Sequence, residues 1–253
     1  MSNLSPGKRT PVESPVPALR EYYADAEGKR RFTRRIFDSS APDYDRVDRL
    51  LAFGSGSWYR RQALLRSGLA GGMRMLDVAV GTGLVAREAV GIVGERGGVI
   101  GVDPSAGMLA QSELHGLTLA RGRAEALPFA AGAFDFLCLG YALRHLADLE
   151  TVFREFRRVL RPGGRMLVLE ITRPEGRVAT AVLKAYLHGV LPALARLVAH
   201  SRDTPTLYRY YWDTIEACVP PARIMATLAA AGFAGVSRNL VLGIFSEYSA
   251  CAA

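Results

Sequence analysis

Lysine is nearly absent from this chain. Only Lys8, Lys29 and Lys184 occur in 253 residues, so arginine carries most of the formal charge of +8. Basic residues form no run of five or more; the densest pieces are Lys29-Arg30-Arg31 and Arg34-Arg35, parted by Phe32-Thr33. That pattern suits a solvated basic face better than a nucleic-acid groove, and no nucleic acid is expected as a partner. Three cysteines, Cys138, Cys218 and Cys251, have no metal-ligand spacing and cannot make a disulfide framework. They suit a reducing compartment, and no metal is expected. No uninterrupted apolar stretch reaches the ~20 residues that span a bilayer. Met1 to Pro17 is rich in Ser and Pro, has no apolar signal core, and reads as a disordered tail. A cytoplasmic protein is expected. A weak peripheral contact with the inner face of the membrane and pairing as a homodimer are both left open.

What is present is an alternation of helix and strand patterns. The length suits one α/β domain over residues 18–253. Ala18 to Gly68 reads as helical, with breaks expected near Ser39-Ser40-Ala41-Pro42 and at Gly54-Ser55-Gly56, and residues 18–70 form an N-terminal cap. Met73 to Val78 is a short apolar strand ending in a glycine turn, after which Leu84 to Ile92 is helical. Further strands are expected at Val99 to Val102, Leu117 to Ala120, Phe134 to Leu139 and Arg165 to Ile171. Between the last two, Leu149, Val152, Phe153, Phe156, Val159 and Leu160 recur at helical steps, and Arg161-Pro162-Gly163-Gly164 ends the helix. Residues 172–220 form an insert: a long apolar helix from Val178 to His200, interrupted at Pro192, then the aromatic run Tyr208-Arg-Tyr-Tyr-Trp212. A helix from Pro221 to Gly232 and two strands within Val236 to Ala250 close the chain. The pattern predicts a Rossmann-like α/β fold, a mostly parallel seven-stranded sheet with helices on both faces. The insert would lie above the carboxyl ends of the strands, where ligands bind in such sheets, making it a candidate lid.

The most informative segment is Leu76-Asp-Val-Ala-Val-Gly-Thr-Gly-Leu84. Glycines let backbone approach a ligand closely, and the following helix offers free N–H groups. Asp103 ends the next strand, placed to accept ribose hydroxyls. Gly81-x-Gly83-x-x-Ala86 also satisfies the dinucleotide fingerprint. Three features favour S-adenosyl-L-methionine instead. Asp77 lies in the strand before the turn, where a carboxylate can hold a methionyl ammonium but would repel a pyrophosphate. Arg123-Ala124-Glu125-Ala-Leu-Pro-Phe129 follows the third strand, where methyltransferases hold adenine. About 70 residues precede the loop, whereas a dinucleotide domain often opens with its own. The expected cofactor set is Asp77, Gly81, Thr82, Gly83, Asp103, Pro104, Met108, Arg123, Ala124 and Gly140.

From about Phe37 to the tail the chain resembles the ubiquinone/menaquinone biosynthesis C-methyltransferases, a family of class I S-adenosylmethionine-dependent enzymes. Phe37-Asp-x5-Tyr44-Asp45 and Phe53-Gly54 match its opening segment, and Asp77 to Gly83 its cofactor loop. Ala124-Glu-Ala-Leu-Pro-Phe129, Tyr141-Ala-Leu-Arg144-His145, Leu160 to Gly164, Leu167-Val-Leu-Glu170, His188-Gly-Val-Leu-Pro192 and Tyr208-Arg-Tyr210 follow. The resemblance implies cofactor contacts at Thr82, Asp103, Arg123-Ala124 and Gly140. The chain departs from the pattern at Arg123, where the family has Asn or Asp, and at Gly140, where it has Ser. On the acceptor side, Gly56-Ser57 replaces a His-Arg pair, Asp48 an Asn, and His145 the Asn after the active-site Arg.

The resemblance implies C-methylation of a prenylated quinol or related hydrophobic hydroxyarene. O- or C-methylation of a small aromatic or polyketide, and non-methyl chemistry at the sulfonium, are the alternatives. Methylating a ring carbon requires loss of the hydroxyl proton and a methyl held in line. Arg144 is a candidate for holding the phenolate, His145 for the general base, and Tyr141 for packing against cofactor or substrate. For Arg144 the competing reading is an ion pair with an acidic neighbour; for His145 and Tyr141 it is structural packing. The aromatic run Tyr208 to Trp212 can line a substrate pocket or fill a core.

Overall fold

Nearly every side chain of β1 (Arg74–Val78) and β4 (Phe134–Gly140) is buried, as strands covered on both faces require. The computed structural model, which describes residues 14–51, 55–113 and 117–253, sets these strands beside β2 (Gly98–Asp103), β3 (Thr118–Arg121) and β5 (Leu160–Ile171) in parallel. Two antiparallel strands, β6 (Phe233–Val241) and β7 (Phe245–Ala252), complete the sheet. The order is β3-β2-β1-β4-β5-β7-β6, so the expected seven-stranded sheet forms. Its switch point lies at the carboxyl end of β1, which has β2 on one side and β4 on the other.

Helices cover both faces. The apolar stripe of α5 (Leu149–Val159) is wholly buried at Leu149, Val152, Phe153, Phe156 and Val159. Each phenylalanine contributes about 2–3 kcal/mol. Asp148 caps this helix, accepting from the Glu150 amide at 3.1 Å. With α9 (Pro221–Ala230) it forms one core layer, while α2 (Ser55–Arg66) and α3 (Leu84–Val93) pack on the other face. A short helix, α4 (Ala106–Glu113), was not expected; its two turns bury only Met108, Leu109 and Ser112, too few for a periodic signal.

Four expectations need correction. Residues 18–25 are turn rather than helix, since the first helix begins at Ala26. No break occurs at Ser39 to Pro42: α1 (Ala26–Leu51) runs through Pro42. Proline removes one helical hydrogen bond, but α1 is anchored on both sides of it. Asp38 accepts from Ser105 Oγ and the Gly107 amide, and Asp43 from the His200 and Ser201 amides. The disordered tail does not extend to Pro17. Val16 is 1% exposed, and the Pro15 carbonyl accepts from the Val219 amide at 2.9 Å; the earlier part of that tail, like Phe53 and Gly54, lies outside the described residues. Pro192 does not interrupt the long helix. A π-helical turn, Ala185–Val190, joins α6 (Arg177–Lys184) to α7 (Leu191–Val198), and its wider winding accommodates the missing N–H.

The aromatic run lies on α8 (Thr204–Ala217). Tyr208 and Trp212 join Val47, Leu187, Leu191 and Ile215 in a separate core that fastens the insert to α1. Most of the run therefore fills a core rather than a lid.

Candidate active site

The chain leaves β1 through Ala79 and β4 through Tyr141, both non-glycine residues at positive φ, 55° and 59°. Such backbone costs about 1–3 kcal/mol and persists where surrounding structure enforces it, commonly at functional sites. The Tyr141 amide is held by the Leu169 carbonyl at 2.7 Å. Between the two strand ends runs the glycine turn. Gly83 adopts a φ of 88°, and a Cβ there would lie 2.5 Å from Leu117 Cδ1, so this position requires glycine. α1 is bound to the turn by Asp45, which accepts from Thr82 Oγ1 and pairs with Arg87 at 2.7 Å.

A cavity of about 460 Å³ opens over these strand ends. Of the expected cofactor residues, Asp77, Gly81, Thr82, Asp103, Pro104, Met108, Arg123, Ala124 and Gly140 line it, and Gly83 shapes the turn behind it. Asp77 is fully buried, and neither carboxylate oxygen makes a hydrogen bond of good geometry among the described residues, the Ala86 amide giving only partial support. Burial, with Asp103 nearby adding repulsion, pushes it up to about 8. Asp103 accepts from the Gly81 amide at 3.0 Å and the Ser105 amide at 2.8 Å, and burial still pushes it up to about 6. Each of its oxygens keeps a lone pair for a hydroxyl donor. Arg123 directs its half-exposed guanidinium to Glu125.

The other end of the cavity is aromatic and basic. Phe37 and Tyr44 from α1, Tyr141, His145 and Tyr211 line it, with Lys29 and the Arg60–Asp48 ion pair. Tyr211 Oη donates to Tyr44 Oη at 3.1 Å. Tyr141 and His145 thus share the cavity with the carboxylates. Arg144 does not line it: its guanidinium pairs with Glu170, meets Thr214 Oγ1 at 3.2 Å and lies over Tyr211. Both partners of the ion pair are 1% exposed. This is the ion-pair reading left open for Arg144.

A strand-end carboxylate pair beside a glycine turn, continuous with an aromatic chamber, fits a nucleoside with an ammonium group and a flat acceptor. The profile of the ubiE/COQ5 methyltransferase family matches residues 25–251. The chain belongs to that family. The ubiquinone/menaquinone biosynthesis C-methyltransferase of Syntrophotalea carbinolica is 35% identical over 87% of this chain and 93% of its own. The demethylmenaquinone methyltransferase of Mycolicibacterium paratuberculosis is 32% identical over 90% and 96%. Among solved structures, a possible histamine N-methyltransferase from Thermotoga maritima superposes with a TM-score of 0.61 at 20% identity, covering 87% of this chain and 99% of that one. A methyltransferase from Aquifex aeolicus gives 0.56 at 18%, covering 77% and 89%. At that identity both show the fold alone.

This ubiE/COQ5-family protein is an S-adenosylmethionine-dependent methyltransferase. The orphaned Asp77 carboxyl, the free lone pairs of Asp103 and the glycine turn fit that cofactor. Sequence reasoning missed Lys29 and Arg60. Lys29 sits in a basic run that resembles solvated surface, yet it is 6% exposed. Arg60 lies on α2 just after the opening motif, in a stretch that carries no chemistry in sequence, and in the structure it pairs with Asp48 at the cavity wall.

Proposed function

We propose that this enzyme C-methylates a prenylated quinol or related hydrophobic hydroxyarene, working in peripheral contact with the membrane that stores such lipids. The observation that carries the reading is the continuity of one cavity from Asp77 and Asp103 to the aromatic chamber of Phe37, Tyr44 and Tyr211. Relatives at 32–35% identity are named for quinone methylation, which supports the acceptor class. Asp77 would hold the ammonium of the cofactor, Asp103 its ribose hydroxyls, and the Arg123-Ala124 backbone its adenine. Bound S-adenosylmethionine supplies a methyl group already activated on a sulfonium. Phe37 and Tyr211 would stack on the acceptor ring and set its carbon in line at ~3–3.5 Å. Lys29 supplies positive charge to the chamber where a phenolate would develop. As the ring carbon takes the methyl, the carbon–sulfur bond would break to leave S-adenosylhomocysteine, and the ring carbon would then give its proton to water, restoring the aromatic system.

The test is calorimetric binding of S-adenosylmethionine to wild type and Asp103→Ala, followed by mass spectrometry after incubation with a demethyl-quinol analogue. Binding lost in the variant and a wild-type product heavier by one methylene are expected. Binding without product from any hydroxyarene would overturn the acceptor class.

A further inference from the structure

We propose that His145 reads the free hydroxyl of the methyl acceptor, and that Lys29 positions it by gripping the backbone on both sides. This rests on the hydroxyarene reading above.

His145 ends the short 3₁₀ turn Leu143–His145 and lines the cavity. Both ring nitrogens are buried, and neither has a hydrogen-bond partner among the described residues. Its ring plane is nevertheless fixed. It stacks on Tyr210 at 5.4 Å, meets Phe37 edge-on at 5.2 Å, and is tilted against Tyr211 at 6.0 Å. A buried polar ring held rigidly by aromatic faces, with its nitrogens unpaired, calls for a hydrogen-bonding partner from the cavity.

Lys29 Nζ donates to the carbonyls of Arg144 at 3.3 Å and Leu146 at 3.0 Å, the two residues flanking His145. Its third contact is Ser14 Oγ at 3.2 Å, so one ammonium joins the N-terminal segment, α1 and the turn after β4. Burial and the nearby charges of Arg144 and Lys29 hold the imidazole far below its ordinary range. The ring therefore stays neutral, with one nitrogen lone pair open. A phenol can donate to that lone pair, whereas an aryl ether cannot. His145 thereby selects a hydroxyl over an ether.

The experiment compares 1-naphthol with 1-methoxynaphthalene by calorimetry in the presence of S-adenosylhomocysteine. Wild type should bind 1-naphthol about tenfold more tightly than the ether, the size of one good hydrogen bond. His145→Phe should lose that preference and keep the ether's affinity, and His145→Gln should restore part of it. Lys29→Met should lower the preference several-fold; an unchanged preference there would overturn the positioning role. On unaltered protein, one imidazole ¹⁵N resonance of His145 should shift with 1-naphthol and not with the ether. Equal binding of the two probes, a preference surviving in His145→Phe, or no ¹⁵N shift would overturn the assignment to His145. Failure of both probes to bind would instead strike the hydroxyarene reading itself.

Discussion

Asp77 is the residue whose environment makes least sense without a ligand. A carboxyl buried at a strand end without a full set of donors is destabilising when ionised, which is why burial raises it to about 8 although the Ala86 amide favours the charge. An ammonium would reverse that preference, so cofactor binding should expel a proton from Asp77 wherever the free protein is still protonated. Affinity for S-adenosylmethionine should therefore rise between about pH 6 and pH 8, with proton release visible in buffers of different ionisation enthalpy. Asp103, raised to about 6, adds an earlier step. The stability of the free protein runs the opposite way. Both groups bind protons more tightly folded than unfolded, so their contribution is complete at acid pH and is lost as pH climbs through about 6 and about 8. Asp77→Asn should melt several degrees higher at pH 8, bind cofactor at least tenfold more weakly, and lose the pH rise in affinity. A flat affinity profile in wild type would separate Asp77 from the ammonium. This residue was legible in sequence because a carboxylate inside an apolar strand is conspicuous. Lys29 was not, because its role depends on two carbonyls more than 110 positions away.

One buried ion pair fastens two elements beside the site. The 3₁₀ turn after β4 is fastened to the end of β5 by Arg144 and Glu170. Removing one partner strands the other charge in a dry site, so Glu170→Ala should cost about 3–5 kcal/mol in urea unfolding. The paired change Arg144→Met with Glu170→Leu should cost clearly less. If the two variants are equally destabilised, the pair is not a desolvated unit. Legibility at this scale follows physical periodicity. The buried strands and α5 declared themselves because their side-chain repeat matches one buried surface or one stripe. α4 is too short to show a repeat, and α1 crosses Pro42 only because Asp38 and Asp43 receive hydrogen bonds from distant segments. Similarly, nothing local to Tyr208 to Trp212 distinguishes a core from a pocket; the neighbouring α1 decides it, leaving Tyr211 in the cavity wall.

At the scale of the whole molecule, five of the ten large apolar side chains that stand exposed among the described residues share one ridge. Val178, Val182, Val190, Leu194 and Leu197 are 78%, 63%, 47%, 45% and 81% exposed along α6, the π turn and α7. The segment Arg177–Leu197 is long and apolar enough to cross a membrane by composition, but α7 and the π turn pack against α8. A helix fixed to its own protein on one side and greasy on the other suits the plane of a bilayer surface. Charge argues for lipid over a second copy. No Asp or Glu occurs between Glu175 and Asp203, while Arg177, Lys184, Arg196 and Arg202 do; of these Lys184 pairs with Glu216 of α8 at 3.7 Å. A twofold dimer through this face would set those cations against themselves, whereas an anionic leaflet complements them. The helix against which this ridge packs, α8, also carries Tyr211 into the cavity wall. Vesicles with about one-third anionic lipid should therefore sediment the enzyme, less so at high salt, and Val182→Asp with Leu194→Asp should release most of it. The same double variant should leave cofactor affinity within about twofold and turnover of a short, water-soluble hydroxyarene intact, while turnover of a long-chain quinol in vesicles falls at least tenfold. That separation would assign the ridge to substrate capture, since a lost tail-binding site inside the cavity would reduce activity on long-chain quinol in detergent as well.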